Sequence, residues 1–245
     1  MTIKVGVLGA AGRMGSTTCG AVDGDDELEL VARVDHGDGR QGLVDAGVQV
    51  AVDFTVPDAV KDNIHFCLDH GIHVVVGTSG LTSDDFAEIE TRAKASEANC
   101  FIGPNFAIGA VLMMRFATMA TPYFDSAEII ERHHERKVDA PSGTAVRTAE
   151  LMNEARDRDW VEPSGETETL AGSRGGRSGG IHIHSVRARG YVAHQEVVLG
   201  ATGETLTIRH DSLDRASFMP GVLLAIKKVG ERSGLTVGLE HLLDL

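Results

Sequence analysis

Over the first 104 residues, short apolar runs alternate with stretches patterned for helix, and this alternation leaves few folds open. The runs are IKVGVL (3–8), LELVARVD (28–35), VQVAVDFT (48–55), HVVVGT (73–78) and NCFIG (99–103). Most are rich in β-branched residues and bounded by glycine or a polar residue, the pattern of a strand buried on both faces. GRMGSTTCGAV follows the first run and reads as a helix. So do PDAVKDNIHFCLDHG, with proline at its start and glycine at its end, and LTSDDFAEIETRAKASEA, opened by threonine and serine. Strands joined by helices at this spacing form parallel βαβ units.

The pattern changes after Asn105. AIGAVLMMRFATMATPYF and SGTAVRTAELMNEARD read as helices, whereas AEIIERHH, IHIHSVRARG, YVAHQEVVLG and ETLTIRHDS read as strands. The polar, glycine-rich stretch 163–180 is expected to be a mobile loop, and 215–229 a helix with Pro220 inside it. The fold class is therefore α/β, with an N-terminal Rossmann-type parallel sheet. A C-terminal α+β domain with a mixed, mostly antiparallel sheet completes it. The expected domains are 1–104 with 215–245, and 105–214, the last segment returning to the first domain.

Composition narrows the function. The chain has 245 residues, 42% of them hydrophobic, enough for a real core. Its formal net charge of -13 repels phosphate backbones, so nucleic acid is not an expected partner. No apolar run is long enough to span a membrane, and the N-terminus lacks a signal peptide's pattern. Cys19, Cys67 and Cys100 are scattered with no CxxC pair, which fits thiols in a reducing cytoplasm rather than disulfides or zinc.

Gly9, Gly12 and Gly15 fall at the first strand-to-helix turn. Glycine there lets backbone approach a pyrophosphate, and the helix N-terminus offers N–H groups and a positive dipole end. The spacing is GxxGxxG, with Ala11 where the usual fingerprint has its second glycine. Asp35, closing the second strand, is placed to accept from adenosine ribose hydroxyls and to repel a 2′-phosphate. Arg13, His36 and Arg40 offset that repulsion, so both NADH and NADPH are expected to work, NADH being favoured. GTSG (77–80) and GPNFAIG (103–109) follow the fourth and fifth strands, where ligands of open α/β sheets sit.

The other feature is ERHHERKVDAPSGTA, Glu131–Ala145. It gathers basic side chains just before a helix start, in an otherwise acidic chain. His133 and His134 point to opposite faces if the strand includes both. Lys137 follows, and the N–H groups of Gly143 and Thr144 open a helix. Cations beside a helix N-terminus suit a small carboxylate substrate. The cluster is expected to reverse the negative field of the chain locally. His182 and His184 have ligand-like spacing, but without an evident third ligand no metal is expected.

These residues resemble the signature E-x-H-H-x-x-K-x-D-x-P-S-G-T-A of the dihydrodipicolinate reductase family. GAAGRMG, DFT, GTSG, PNFAIG, IHSVR and DRASF agree in order along essentially the whole chain. The resemblance implies NAD(P)H-dependent reduction of a cyclic 4-hydroxy imine dicarboxylate, with loss of water, on the diaminopimelate route to lysine. It implies His133 and Lys137 as catalytic residues, and His134, Gly143 and Thr144 as substrate contacts. For the dinucleotide it implies Gly9, Ala10, Ala11, Gly12, Arg13, Met14 and Asp35. Gly77, Thr78, Ser79, Gly103, Pro104, Asn105 and Phe106 complete that set. The first domain would then bind dinucleotide, and 105–214 would bind substrate and form a homotetramer through its sheet. The segment between Asp35 and Val48 is shorter than is common in the family, and His182 replaces a usual glycine. Two alternatives stay open: another two-domain NAD(P)-dependent amino-acid or semialdehyde dehydrogenase, and a non-catalytic NAD(P)H sensor.

Overall fold

Parallel pairing of the apolar runs is realised in a six-stranded sheet. The computed structural model describes residues 2–162 and 167–243. Its strands are β1 (Ile3–Leu8), β2 (Leu28–Val34), β3 (Val50–Asp53), β4 (His73–Val76), β5 (Cys100–Ile102) and, far along the chain, β11 (Leu235–Val237). Their order is β11-β5-β4-β3-β1-β2, every pair parallel. The chain runs from β1 outward to β2, then returns to place β3 on the other side of β1. The strand order therefore reverses between β1 and β3, whose C-terminal ends form the crevice such sheets use for ligands. All four residues of β3 are buried.

The helices of this unit are α1 (Arg13–Asp23), α2 (Gln41–Asp45), α3 (Pro57–Asp69), α4 (Ser83–Ala95) and α7 (Met219–Lys228). Pro220 lies in the first turn of α7, where a missing N–H costs nothing, rather than inside the helix as expected. Thr82 and Asp85 form a capping box at α4: Asp85 N–H donates to Thr82 Oγ1 at 3.2 Å and Thr82 N–H to Asp85 Oδ2 at 2.8 Å. Five-residue α2 and three-residue β11 are too short for a periodic signal, and sequence reasoning missed both.

The second sheet holds β6 (Ser126–His133), β7 (Gly176–Ser178), β8 (Ile181–Arg187), β9 (Ala193–Ala201) and β10 (Glu204–Ser212). The order is β10-β9-β6-β8-β7, parallel only between β6 and β8. Helix α6 (Gly143–Glu154) lies in the crossover those two strands require, and α5 (Ile108–Ala120) precedes β6. Ile129, Ile183, Val197 and Leu199 from the sheet bury themselves with Ala145, Ala149 and Met152 of α6. The stretch expected to be a mobile loop is in part ordered: β7 pairs antiparallel with β8, Gly176 opposite Ile183. Residues 163–166 of that stretch lie outside the described residues. The chain divides into two compact units, Met1–Ile108 with Arg215–Leu245, and Gly109–Asp214.

Buried Asn99 ties the returning segment to the first sheet. Its amide donates to the carbonyls of Val229 at 3.1 Å and Gly230 at 3.3 Å, and accepts from Gly234 N–H at 3.1 Å. Asn99→Ala strands these buried groups, and should destabilise the fold by about 2 kcal/mol. A lower urea midpoint at unchanged m-value is the expected reading.

Candidate active site

At the switch point, β1 is followed by Gly9, whose φ of 75° is a left-handed conformation glycine adopts without strain. A side chain there would overlap the Phe54 carbonyl, and one at Gly15 would overlap the Gly9 carbonyl. The turn is closed by Gly12 N–H donating to Gly9 O at 3.0 Å. Gly12 then caps α1 with no side-chain hydrogen bond, and first-turn N–H groups have no intrahelical acceptor. This is a backbone cradle suited to a pyrophosphate. Asp35 lies against it: Ala11 N–H donates to both carboxylate oxygens, at 2.9 and 3.0 Å. So Gly9 to Met14 and Asp35 are brought together, with Asp35 also bracing the loop itself.

The ends of β3, β4 and β5 are neighbours in the same sheet. Asp53, which has no accessible surface, closes β3 and accepts from Thr55 Oγ1 at 2.8 Å, Thr78 Oγ1 at 2.6 Å and Asn63 Nδ2 at 2.7 Å. Thr55 N–H donates to Thr78 Oγ1 at 2.8 Å. Arg40 Nε donates to Asn63 Oδ1 at 2.6 Å, which joins the stretch after Asp35 to this network. The Thr78 side chain thus faces Asp53, while Ser79 and Pro104 are exposed. A side chain at Gly77 would overlap the Phe54 ring. Asn105 Oδ1 accepts from Ala107 N–H at 2.9 Å. Phe106 differs from the rest of the set: its ring is buried, 5.9 Å from both Phe54 and Phe101.

In the second unit, β6 alternates. Ala127, Ile129, Glu131 and His133 share the face that packs on α6, so a carboxylate sits where the pattern calls for an apolar residue. Parallel register sets Glu131 beside Ser185 and His133 beside Arg187. The Glu131 side chain has no accessible surface. His133 Nδ1 lies 2.6 Å from its Oε2, and Arg187 donates with Nη1 to Oε2 and Nη2 to Oε1, each at 2.7 Å. Ser142 N–H adds a bond to Oε1 at 3.1 Å. Burial pushes the Glu131 carboxyl up, but hydrogen bonds from His133, Arg187 and Ser185 outweigh it and hold the group at about 2.

Ser142 also caps α6, its Oγ accepting from Ala145 N–H at 3.2 Å, so Gly143 and Thr144 occupy the first turn. Arg187 Nη2 reaches the Asp139 carbonyl at 2.6 Å, and Lys137 Nζ lies 2.8 Å from each Asp139 carboxylate oxygen. His134, just past the strand, has a buried Nδ1 with no hydrogen-bond partner among the described residues. The basic cluster is therefore less of an open positive patch than expected. His133 pairs with Glu131 and Lys137 with Asp139, while Arg132, on the opposite face, lies 3.7 Å from Glu196. The HIH pair has protein partners: His182 Nδ1 lies 2.9 Å from the Arg174 carbonyl and His184 Nε2 lies 2.8 Å from Glu128.

All three cysteines are buried. Burial raises each thiol, Cys67 to about 12, which leaves none activated as a nucleophile. No described helix is long and apolar enough to cross a membrane.

A parallel sheet with a glycine turn at its switch point, joined to a mixed sheet bearing a histidine–lysine cluster, defines a two-domain reductase of the dinucleotide-fold class. Family models for the N-terminus and C-terminus of dihydrodipicolinate reductase match residues 3–106 and 109–243, and the chain belongs to that family. A Nocardia farcinica protein named 4-hydroxy-tetrahydrodipicolinate reductase is 54% identical over 248 residues, with 100% of both chains covered. One of the same name from Streptomyces coelicolor is 52% identical, over 99% of this chain and 98% of its own. Among solved structures, a dipicolinate-bound dihydrodipicolinate reductase from Paenisporosarcina sp. TG-14 is 39% identical. It superposes with a TM-score of 0.92, covering 99% of this chain and 100% of its own.

Sequence reasoning gave no role to Glu131, Arg187, Asp53 or Asn63. Glu131, Arg187 and Asp53 lie inside motifs the resemblance rests on, and charged groups on apolar strands were the available signal. Because Glu131 sits at about 2 in the fold against an ordinary 4.5, its pairing stabilises the fold above pH 4.5 and is lost as pH falls through 2. The stability gap between wild type and Glu131→Gln should therefore narrow over that window, as read by thermal melts across pH.

Proposed function

We propose that the chain is an NAD(P)H-dependent 4-hydroxy-tetrahydrodipicolinate reductase of diaminopimelate and lysine biosynthesis. It reduces the cyclic 4-hydroxy imine dicarboxylate to tetrahydrodipicolinate, with loss of water. Full-length relatives of that name support the reaction, and the dipicolinate held by the Paenisporosarcina protein supports a small dicarboxylate substrate. The observation that carries the reading is the convergence of His133 and the start of α6 on one buried carboxylate, Glu131, whose partner Arg187 also holds the Lys137 loop at the Asp139 carbonyl.

In this reading the first unit binds the dinucleotide and 109–214 binds the substrate. The turn from Gly9 to Gly12 lets the pyrophosphate approach the backbone, and the first-turn N–H groups of Arg13 and Met14 in α1 receive it. Asp35 takes the adenosine ribose hydroxyls, which favours NADH over NADPH, while the loops 77–79 and 103–106 flank the nicotinamide. When bound, the cofactor supplies hydride. The chain's own residues supply everything else. The Gly143 and Thr144 N–H groups and Lys137 hold substrate carboxylate, His134 adds a contact, and His133 or Lys137 delivers the proton that must accompany hydride. Lys137 exchanges its Asp139 partner for substrate. A homotetramer joined through the second sheet, in a reducing cytoplasm, completes the proposal; the three buried thiols are consistent with that compartment.

The test is oxidation of NADH and of NADPH, followed by absorbance, with substrate generated in situ from pyruvate and aspartate semialdehyde. Turnover with either cofactor is expected, with kcat/KM higher for NADH. Bound dinucleotide without turnover would overturn the reading in favour of a sensor. Separately, Lys137→Ala should lower kcat by roughly 10²-fold, the scale of a lost proton donor, and leave dinucleotide affinity unchanged. A near wild-type rate would remove Lys137 from the mechanism.

A further inference from the structure

The geometry of Glu131 determines what His133 can do. The group remains a carboxylate down to about pH 2, and a carboxylate only accepts hydrogen bonds. The 2.6 Å contact between Glu131 Oε2 and His133 Nδ1 therefore requires the proton on Nδ1. The neutral ring is then the Nδ1–H tautomer, and Nε2, the nitrogen turned away from Glu131, is the one that gains and loses the working proton.

We propose that Glu131 is a positioning residue for the reduction: it fixes the His133 ring and its tautomer so that Nε2 faces the substrate as proton donor. This deepens the reading of His133 given above and rests on it. Two features argue against a purely structural carboxylate. First, Arg187 alone satisfies both Glu131 oxygens with a pair of 2.7 Å bonds, so the imidazole is an additional partner rather than the one that balances the buried charge. Second, the same carboxylate holds the Ser142 N–H at the mouth of α6, and its Arg187 partner holds the Asp139 carbonyl in the Lys137 loop. Ring, loop and helix start are thereby referenced to one fixed group. Of the charged groups on the strands beside it, Glu131 on its own strand contacts the His133 ring and Arg187 lies at the paired position on β8, where it bonds Glu131.

The first experiment is a double-mutant cycle of Glu131→Gln and His133→Gln, read in kcat and in the Kd for dipicolinate and for NADH. A residue acting through His133 gives a kcat loss of roughly 10- to 100-fold for Glu131→Gln alone, within what a positioned proton donor supplies. It gives little further loss in the His133→Gln background, and NADH affinity stays put. Equal losses in both backgrounds would mean that Glu131 only stabilises the fold, overturning the proposal. A wild-type rate for His133→Gln would instead overturn the proton-donor reading beneath it. The second experiment needs no variant at position 131. In wild-type protein with ¹⁵N-labelled histidine, assigned by the His133→Gln difference, the neutral His133 ring should carry its proton on Nδ1. An Nε2–H ring would overturn the proposal even if Glu131→Gln failed to fold.

Discussion

A carboxylate with no accessible surface must find several donors at once, and Glu131 is where the second unit meets that demand. Removing one partner of such a group costs far more than the pair is worth, because the remaining charge stays buried. The demand therefore fixes everything that answers it. β8 must run parallel to β6 in the register that sets Arg187 beside His133, and the chain must return so that Ser142 N–H points at Oε1. The single parallel pair in an otherwise antiparallel sheet, and the crossover holding α6, are the arrangement that brings these donors to this one side chain.

The first unit uses the same device, with no cation among the described side-chain partners of its acid. Asp53 is surrounded by two threonine hydroxyls, an asparagine amide and a backbone N–H, all neutral donors. Since Thr55 and Thr78 come from the ends of different strands, satisfying Asp53 locks two βα turns to one another. Both halves of the chain thus place a buried acid at or near the C-terminal end of an inner strand and tie neighbouring loops to it. Such satisfied polar networks specify one arrangement where an apolar core would tolerate several.

Much of this architecture was legible in the residues. Runs such as VQVAVDFT announce a buried strand because a sheet covered on both faces needs apolar residues at every position. The capped and proline-led helices follow from terminal hydrogen bonding. What escaped has a physical reason too. β11 and α2 are too short to show a period, and β7 exists because β8 offers it an edge, not because GRS favours extended chain. At the candidate site, the positive residues of ERHHERK were visible but their pairing was not. Alternation along β6 sends Arg132 to Glu196 on one face and His133 to Glu131 on the other, and Lys137 turns back on Asp139 two residues away. A linear count of charge cannot distinguish an open cation from one already matched. Asp35 taught a similar lesson, since both of its carboxylate oxygens already accept from Ala11 N–H and brace the turn.

The position of β11 has a consequence for how the protein is made. Its partner β5 emerges from the ribosome early, followed by all of Gly109–Asp214, and only then by Leu235–Val237. Throughout that interval one margin of the parallel sheet carries unpaired backbone groups on a strand whose three residues are all buried in the finished fold. Unpaired strand margins are templates for association with other chains. The second unit can complete itself from contiguous residues, while the first needs Leu235–Val237 to cover that margin. Newly made protein is accordingly open to misassembly until Leu235–Val237 pairs with β5, and the Asn99 bonds to Val229, Gly230 and Gly234 anchor the segment that delivers it.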